Sequence, residues 1–405
     1  MIATAPATPS PATIEAAPSL PVGAAAPPKS PRLMSLDAYR GFIMFMLAGS
    51  GFGTVQMARK FPDSAWSFWA NQFSHTPWQW GAFWDLIMPA FMMMVGVAMP
   101  LSYARRQEEG DTFARQLRHA IIRALVLVLL GSALMTQNAR FVNVLTQIGL
   151  GYVFIFLLLR RSPRFQLGAI AVILTGHWLL FATYPTPGPG YDFAAAGANP
   201  ADILPGFWAH WSKNLSLSAD FDRWLLNLFP NDKLFVNQVG STTTLNFIPA
   251  MANMILGVMS GQVLMSARPP GAKFAWLVRT GAVCLVLGIV AGLTICPVIK
   301  RIWTPSFALY SSGWTLWMLA AFYWVIDVRG YKRWAFPLLV FGANSLAIYV
   351  MTLLWPAWIK HTLAQQWGAG IFSGPHGPVW ERFAILLVLW FFCWWLYRRK
   401  LFFRI

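Results

Sequence analysis

Ten long apolar stretches, almost free of charged residues, constrain this chain more than any other feature. Each approaches the roughly 20 residues that an α-helix needs to cross a bilayer. Charged residues are 11% of the 405, whereas a soluble domain carries about 25%. The sequence therefore excludes a water-soluble globule and predicts an all-α integral membrane protein, a bundle of about ten transmembrane helices. The predicted spans are 38–57, 82–104, 120–138, 141–159, 165–184, 243–266, 280–299, 306–326, 334–356 and 381–397.

Two segments outside the spans differ from the rest of the chain. Residues 1–30 are mostly Ala, Pro, Ser and Thr without periodicity, which predicts a disordered cytoplasmic tail. The tail lacks the pattern of a secretory signal peptide, so we expect insertion through the first span. Residues 31–405 are predicted to form the multi-span membrane domain. Within it, the hydrophilic residues 185–242 predict one long outer loop between spans five and six.

The basic excess of the chain assigns the two sides of the membrane. The net charge of +17 comes from 31 Lys and Arg against 14 Asp and Glu. In a soluble protein this would indicate a nucleic-acid partner, but Lys and Arg of membrane proteins concentrate on the cytoplasmic face. With the N-terminus inside, every inner segment carries several basic residues. The sequence thus predicts cytoplasmic termini and anionic membrane lipid, not nucleic acid, as the partner of this charge.

Ionisable side chains near membrane depth are costly, so each is a candidate for function. His75 stands among aromatic residues in the first outer loop, and Asp85 follows at the start of span two. A histidine oriented by a carboxylate suits a general base or an acyl-accepting nucleophile. Loop histidines are also common without such a role. Asp37 and Arg40, three residues apart at the inner end of span one, can pair on one helix face, and a helix-start ion pair is the simpler explanation of them.

A few uncharged polar residues are candidates for lining a path through the bundle. They are Gln147 in span four, Asn253 in span six, and Asn344 and Ser345 in span nine. Hydrogen bonds between helices explain them equally well. The three cysteines show no metal-ligand spacing, so no metal site is predicted. The chain also lacks a phosphate loop, a serine-nucleophile elbow and a dinucleotide fingerprint.

Several short motifs keep a distinctive order and spacing from about residue 32 to the end of the chain. They are SLDAYRG at 35–41, HTPW at 75–78, DLIMPAF at 85–91, WTPS at 303–306, FGANS at 341–345 and YRRKLFFRI at 397–405. Together these motifs resemble the heparan-alpha-glucosaminide N-acetyltransferase family. We expect a bacterial member in the inner (cytoplasmic) membrane.

The resemblance implies transfer of an acetyl group from cytoplasmic acetyl-CoA to a sugar amine across the membrane. It matches His75 to the active-site histidine, Asp85 to the acid that opens span two, and Asn344 to an asparagine of span nine. His75 either deprotonates the acceptor or is itself acylated first, and both routes need a polar passage for the pantetheine arm. The candidate substrate- and CoA-binding residues are Asp37, Arg40, Gln147, Asn253, Asn344 and Ser345.

Three departures from the family pattern fall near the expected site. Gly51 stands where better-known members carry an asparagine, Thr146-Gln147 replaces part of a Leu-Gln-Arg signature, and residues 238–242 replace an acidic element. A different acceptor, another acyl chain and a loss of catalysis therefore stay open.

Other functions remain to be separated from acyl transfer. Ten spans with a polar interior are also compatible with a transporter or flippase, although no internal repeat is evident. Loss of catalysis would leave a non-catalytic assembly protein, and a homodimer stays open. A second membrane acyltransferase family shares an Asp-x-x-Arg-Gly signature but usually has a histidine near the outer end of span one. No histidine lies between Arg40 and His75.

Overall fold

The structure, a computed structural model, describes residues 33–135, 141–230, 232–238 and 240–403. The described chain is mainly helical, and its extended backbone is limited to isolated bridges of Gln79 and Trp80 with Ile299. The all-α prediction is confirmed, while the predicted tail over 1–30 lies outside the described residues. The α-helices are α1 (Met34–Gly49), α2 (Thr54–Lys60), α3 (Trp66–Gln72), α4 (Ile87–Glu108), α5 (Phe113–Ala133), α6 (Val144–Leu158), α7 (Pro163–Ala182), α8 (Leu217–Leu226), α9 (Phe247–Met265), α10 (Pro270–Thr294), α11 (Pro305–Phe322), α12 (Phe336–Ala343), α13 (Ser345–Leu354), α14 (Pro356–Trp367) and α15 (Gly377–Arg398).

Seven helical segments of the described chain are long and apolar enough to cross a membrane. They are Met34–Lys60, Phe83–Glu108, Phe113–Ala133, Pro163–Ala182, Thr244–Met265, Pro270–Thr294 and Gly377–Arg398. Arg333–Ala343 and Ser345–Leu354 meet at 72° and give an eighth if they form one broken span. Each of the ten predicted spans overlaps a helix. The chain is therefore an integral membrane protein, and the count of ten stays a prediction.

Helices α5 and α7 begin at N-capping residues, before the uncharged stretches that predicted the spans. α5 begins at Phe113, seven residues before the predicted span at 120, because the Thr112 side chain accepts a hydrogen bond from Arg115 N. α7 begins with Ser162 as the cap and Pro163 in the first turn. Charged residues thus occupy the first turns of helices whose apolar parts cross the membrane.

Glycines allow the central helices to approach closely. A Cβ on Gly96 of α4 would lie 2.0 Å from Met254 O of α9, and one on Gly257 would lie 2.2 Å from Met93 O. α1 and α12 meet in the same way, since a Cβ on Gly41 would lie 1.7 Å from Leu338 O. Small residues of this kind are typical of helix interfaces in membranes.

The chain between α10 and α11 is irregular but buried, and we call residues 295–304 the 295–304 segment. Its Ile299 and Ile302 pack in an apolar cluster with Phe181 of α7 and Trp211. Trp211 belongs to the predicted long loop, whose described residues contain α8 and two short 3₁₀ turns. The loop therefore has a packed interior that holds the 295–304 segment in place.

Candidate active site

His75 and Asp85 are brought together at the start of the second candidate span. Asp85 lies in a short 3₁₀ turn, Phe83–Leu86, that leads into α4. His75 Nδ1 lies 2.6 Å from Asp85 Oδ1. The Asp85 side chain is 1% exposed and that of His75 is 37% exposed. The carboxylate is thus buried, whereas part of the imidazole ring remains accessible.

The other carboxylate oxygen of Asp85 is held by the chain that joins the two residues. Asp85 Oδ2 accepts hydrogen bonds from Thr76 N at 3.2 Å, Thr76 Oγ1 at 3.1 Å and Ala82 N at 3.1 Å. Trp80 N in turn donates to Val298 O at 2.6 Å. The carboxylate is therefore fixed in orientation, with Oδ1 directed at His75.

A lysine that is distant in sequence completes the cluster. Lys300 Nζ lies 3.2 Å from His75 Nδ1 and 3.7 Å from Asp85 Oδ1. Lys300 is buried, which lowers its pKa to about 8, with Asp85 opposing this effect and Arg301 reinforcing it. Lys300 is therefore still largely protonated near pH 7.

The contacts of Asp85 select one tautomer of His75. An ionised carboxylate can only accept a hydrogen bond, so the short contact requires a proton on Nδ1. The neutral ring then carries its lone pair on Nε2. Burial lowers the pKa of His75 below its usual value; the Asp85 hydrogen bond opposes this, and the charges of Lys300 and Arg301 reinforce it. The arrangement provides a neutral nitrogen base at physiological pH.

A cavity of about 180 Å³ lies beside His75 and Lys300. Its wall is mainly apolar. Besides His75 and Lys300, the lining residues Tyr349 of α13 and Trp84 carry a polar side-chain group. The remaining lining residues are Ile43, Met44, Leu47, Ile87, Met88, Phe91 and Val144. This space can hold a small acyl group and part of a flexible chain against the imidazole.

Asn253 does not face this cavity. Its Nδ2 donates to Ala308 O, Ser311 Oγ and Ser312 Oγ at 3.0, 3.1 and 2.8 Å, and its Oδ1 accepts a hydrogen bond from Trp303 Nε1 at 3.0 Å. These bonds join α9 to α11 and to the end of the 295–304 segment. The observed contacts are those of a residue that packs helices together.

Gln147 and Asn344 each keep one polar atom without a partner. Gln147 Nε2 donates to Phe141 O and Thr244 O at 2.8 and 3.0 Å, while its buried Oε1 has no hydrogen bond. Asn344 Oδ1 accepts from Phe403 N at 3.1 Å, while its buried Nδ2 has none. Buried polar atoms without partners are costly, so both stay candidates for contact with a substrate.

The remaining candidates lie at the ends of helices. Asn344 separates α12 from α13, and Ser345 is the half-buried first residue of α13. Asp37 Oδ1 lies 3.7 Å from Arg40 Nη1 in the first turns of α1. The helix-start ion pair that the sequence allowed is therefore present.

Two departures from the family pattern border the His75 cluster. Gly51 has a φ of +71°, and a Cβ there would lie 3.0 Å from Phe73 O, two residues before His75. Asparagine tolerates such left-handed backbone better than most residues. A Cβ on Gly240 would lie 2.7 Å from Arg301 Nη1, next to Lys300 in the chain.

Sequence reasoning missed Lys300 and Thr76 as members of the site. From the sequence, Lys300 was considered only as part of the net charge. Lys300 directly follows an apolar run on the side expected to be poor in basic residues, and this position could have identified it as a candidate. Within the described chain, no group of three His, Cys, Asp or Glu side chains is placed to hold a metal ion.

Comparison with known proteins supports the resemblance that the motifs indicate. The sequence model of the family described as "Heparan-alpha-glucosaminide N-acetyltransferase, catalytic" matches residues 32–202, a range that includes His75 and Asp85. The chain is 23% identical over 371 residues to heparan-alpha-glucosaminide N-acetyltransferase of Homo sapiens, covering 79% of this chain and 52% of that protein. The Mus musculus protein of the same name is 23% identical over 366 residues, covering 79% and 53%. This chain spans about half the length of these relatives, and its likeness to the family is confirmed.

Proposed function

We propose that this relative of the heparan-alpha-glucosaminide N-acetyltransferases is a membrane acyltransferase. In this proposal it transfers an acetyl group from acetyl-CoA to an amine or hydroxyl of a sugar or glycan. The observation that carries the proposal is the 2.6 Å contact between His75 Nδ1 and Asp85 Oδ1 at the wall of a cavity. The names of the two relatives support the choice of reaction.

The chemistry needs one base and one acid step, and His75 can supply both. The acceptor nitrogen or oxygen attacks the thioester carbonyl while His75 Nε2 takes its proton. When the tetrahedral intermediate collapses, the C–S bond breaks and the imidazolium returns the proton to the leaving sulfur of CoA. In the alternative route, Nε2 attacks the thioester carbonyl, and the C–S bond breaks to give CoA thiolate and an acetylated ring. The acceptor then attacks the acetyl carbonyl, the bond from that carbon to Nε2 breaks, and the acceptor's proton passes to the CoA thiolate. Asp85 stabilises the positively charged ring in either case.

In this proposal the donor arrives from the cytoplasmic side along α1. Arg40 lies three residues before Ile43, or about 4.5 Å along the helix axis, and Ile43 already lines the cavity. A basic side chain on the proposed cytoplasmic side of the cavity suits a CoA phosphate, and the apolar wall suits the chain that carries the thioester. Asp37, Gln147, Asn344 and Ser345 remain proposed contacts of donor or acceptor.

The test is acetyl transfer from labelled acetyl-CoA to glucosamine-type acceptors by the protein in membranes. We expect His75→Ala to lower the rate by about 100-fold or more, because the transferable proton loses its carrier. His361→Ala is the matched control, since His361 is an exposed histidine of α14, and it should transfer at the unaltered rate. Full activity of the His75 variant would refute the assignment.

One structural observation favours a transport function. The bent pair formed by α12 and α13 resembles the broken helices that line substrate sites in transporters. Transporters usually repeat such a pair in the other half of the fold, and the described residues contain one such pair. Solute uptake by vesicles containing the protein, without acetyl transfer, would favour this alternative.

A further inference from the structure

The position of Lys300 is unusual for a lysine. It is 7% exposed, and its Nζ lies within 4 Å of both His75 and Asp85. A buried ammonium is costly unless it is paired with a negative charge. Asp85 supplies that charge, but the same carboxylate also accepts a hydrogen bond from His75. Two cationic groups would therefore compete for one carboxylate whenever His75 is protonated.

The backbone on both sides of Lys300 is fixed by hydrogen bonds. Thr304 Oγ1 donates to Pro297 O at 2.8 Å and accepts from Ile299 N at 3.0 Å. Val298 O accepts from Trp80 N in the chain that wraps around Asp85. These bonds tie the 295–304 segment to itself and to the chain between His75 and Asp85.

Lys300 and His75 cannot share a hydrogen bond in the selected tautomer. Nδ1 carries a proton that it donates to Asp85, so the lysine faces a donor atom 3.2 Å away. A second positive charge on the ring would lie next to the ammonium at that distance. The lysine therefore opposes protonation of Nε2.

We infer that Lys300 is a positioning residue that shares the charge of Asp85 and thereby keeps His75 neutral and available as a base. Its effect on turnover rests on the proposed function, whereas its effect on the protonation of His75 does not. The charged groups that face His75 are Asp85 at the start of α4, and Lys300 and Arg301 from the 295–304 segment.

The experiment measures the pKa of His75 directly. Diethyl pyrocarbonate modifies neutral imidazole, so the pH dependence of carbethoxylation of the His75 peptide, followed by mass spectrometry, reports that pKa. We expect Lys300→Met to raise it by about 1, because a like charge within about 4 Å is removed. Lys300→Arg should restore a value close to that of the unaltered protein. Lys233→Met, at an exposed lysine of residues 185–242, should change nothing.

The acetyl-transfer profile gives the second readout. At pH values below the pKa of His75 in both the variant and the unaltered protein, Lys300→Met should transfer acetyl groups about tenfold more slowly. The reason is that about one tenth as much of its His75 is neutral. An unchanged or lowered pKa of His75 in the variant would overturn the inference. If the methionine variant does not fold, Lys300→Gln removes the charge while keeping a polar head, and the same shift is required of it. If Lys300→Met raises the pKa of His75 but the unaltered protein transfers no acetyl group, the inference is supported and the proposed function is refuted.

Discussion

Both carboxylate oxygens of Asp85 accept hydrogen bonds, but from different numbers of donors. Oδ2 faces the three donors of Thr76 and Ala82, while Oδ1 faces His75. An amide in place of the carboxylate must turn its single oxygen toward the three donors. Its NH₂ group then faces His75 Nδ1, which must become an acceptor. The proton of the neutral ring would move to Nε2, where the proposed base is needed.

We therefore expect Asp85→Asn to abolish most activity while preserving the fold. The loss should be about 10²- to 10⁴-fold in acetyl transfer, the range for removing a general base by reversing its tautomer. The measurement compares transfer rates at equal amounts of monodisperse protein. Asp63→Asn, at an exposed aspartate between α2 and α3, is the control. Retention of activity in the Asp85 variant would show that orientation of His75 by Asp85 is not required.

The local pair could be predicted from sequence, but the third member of the cluster could not. His75 and Asp85 are ten residues apart, so one turn and the start of one helix bring them together. Lys300 is 225 residues from His75, and its position depends on Ile299 packing against Trp211 in another segment. No local pattern encodes that packing.

At the scale of helices, α1 and α12 approach each other at Gly41, where an added Cβ would lie nearer to another atom than at any other glycine of the described residues. α1 carries three lining residues of the cavity, Ile43, Met44 and Leu47, so its packing also sets the shape of the proposed site. A methyl group on Gly41 would collide with Leu338 O. Backbone atoms cannot move aside as a flexible side chain can, so the two helices would have to separate.

We expect Gly41→Ala to destabilise the protein by about 1–3 kcal/mol, the usual cost of overpacking. The measurement is the midpoint of thermal unfolding in detergent, followed with a thiol-reactive dye that reports exposure of the buried cysteines. Gly168→Ala is the matched control, because Gly168 lies inside α7 with nothing within 4 Å of the added methyl group. Equal midpoints for the two variants would contradict the proposed close contact.

The apolar runs predicted where helices occur but not where they break. The first predicted span is interrupted at Ser50–Gly53, where Ser50 and Phe52 join two glycines in having positive φ. The ninth is broken at Asn344. Gly53 approaches Pro378 O and Gly51 approaches Phe73 O, so the first break follows from contacts with distant chain. Hydropathy shows which segments are apolar enough to lie in a bilayer, but it carries no information about which distant residues they contact.

At the scale of the whole molecule, the +17 net charge is an argument about orientation. With the proposed inner N-terminus, nearly all of the excess falls on the cytoplasmic side, where it faces anionic lipid. The segment that holds His75 is then on the nearly neutral outer side. Acetyl transfer across the membrane depends on this arrangement, because donor and acceptor are proposed to approach His75 from opposite faces.

Single introduced cysteines can test this orientation. The native cysteines Cys284, Cys296 and Cys393 are buried, so an exposed new thiol should dominate labelling. We expect Lys233→Cys to react with a membrane-impermeant maleimide on intact cells, because residues 185–242 are proposed to be outside. Glu108→Cys, at the exposed end of α4, should react only after the membrane is permeabilised.

The opposite pattern of labelling would invert the topology and place His75 on the cytoplasmic face with the donor. Acetyl transfer could then still occur, but both substrates would meet on one side and the cavity along α1 would not be a passage for CoA. His75→Ala and Asp85→Asn would keep their predicted effects, since those depend on a 2.6 Å contact and not on the side of the membrane. The labelling experiment thus separates the chemistry of the site from its orientation.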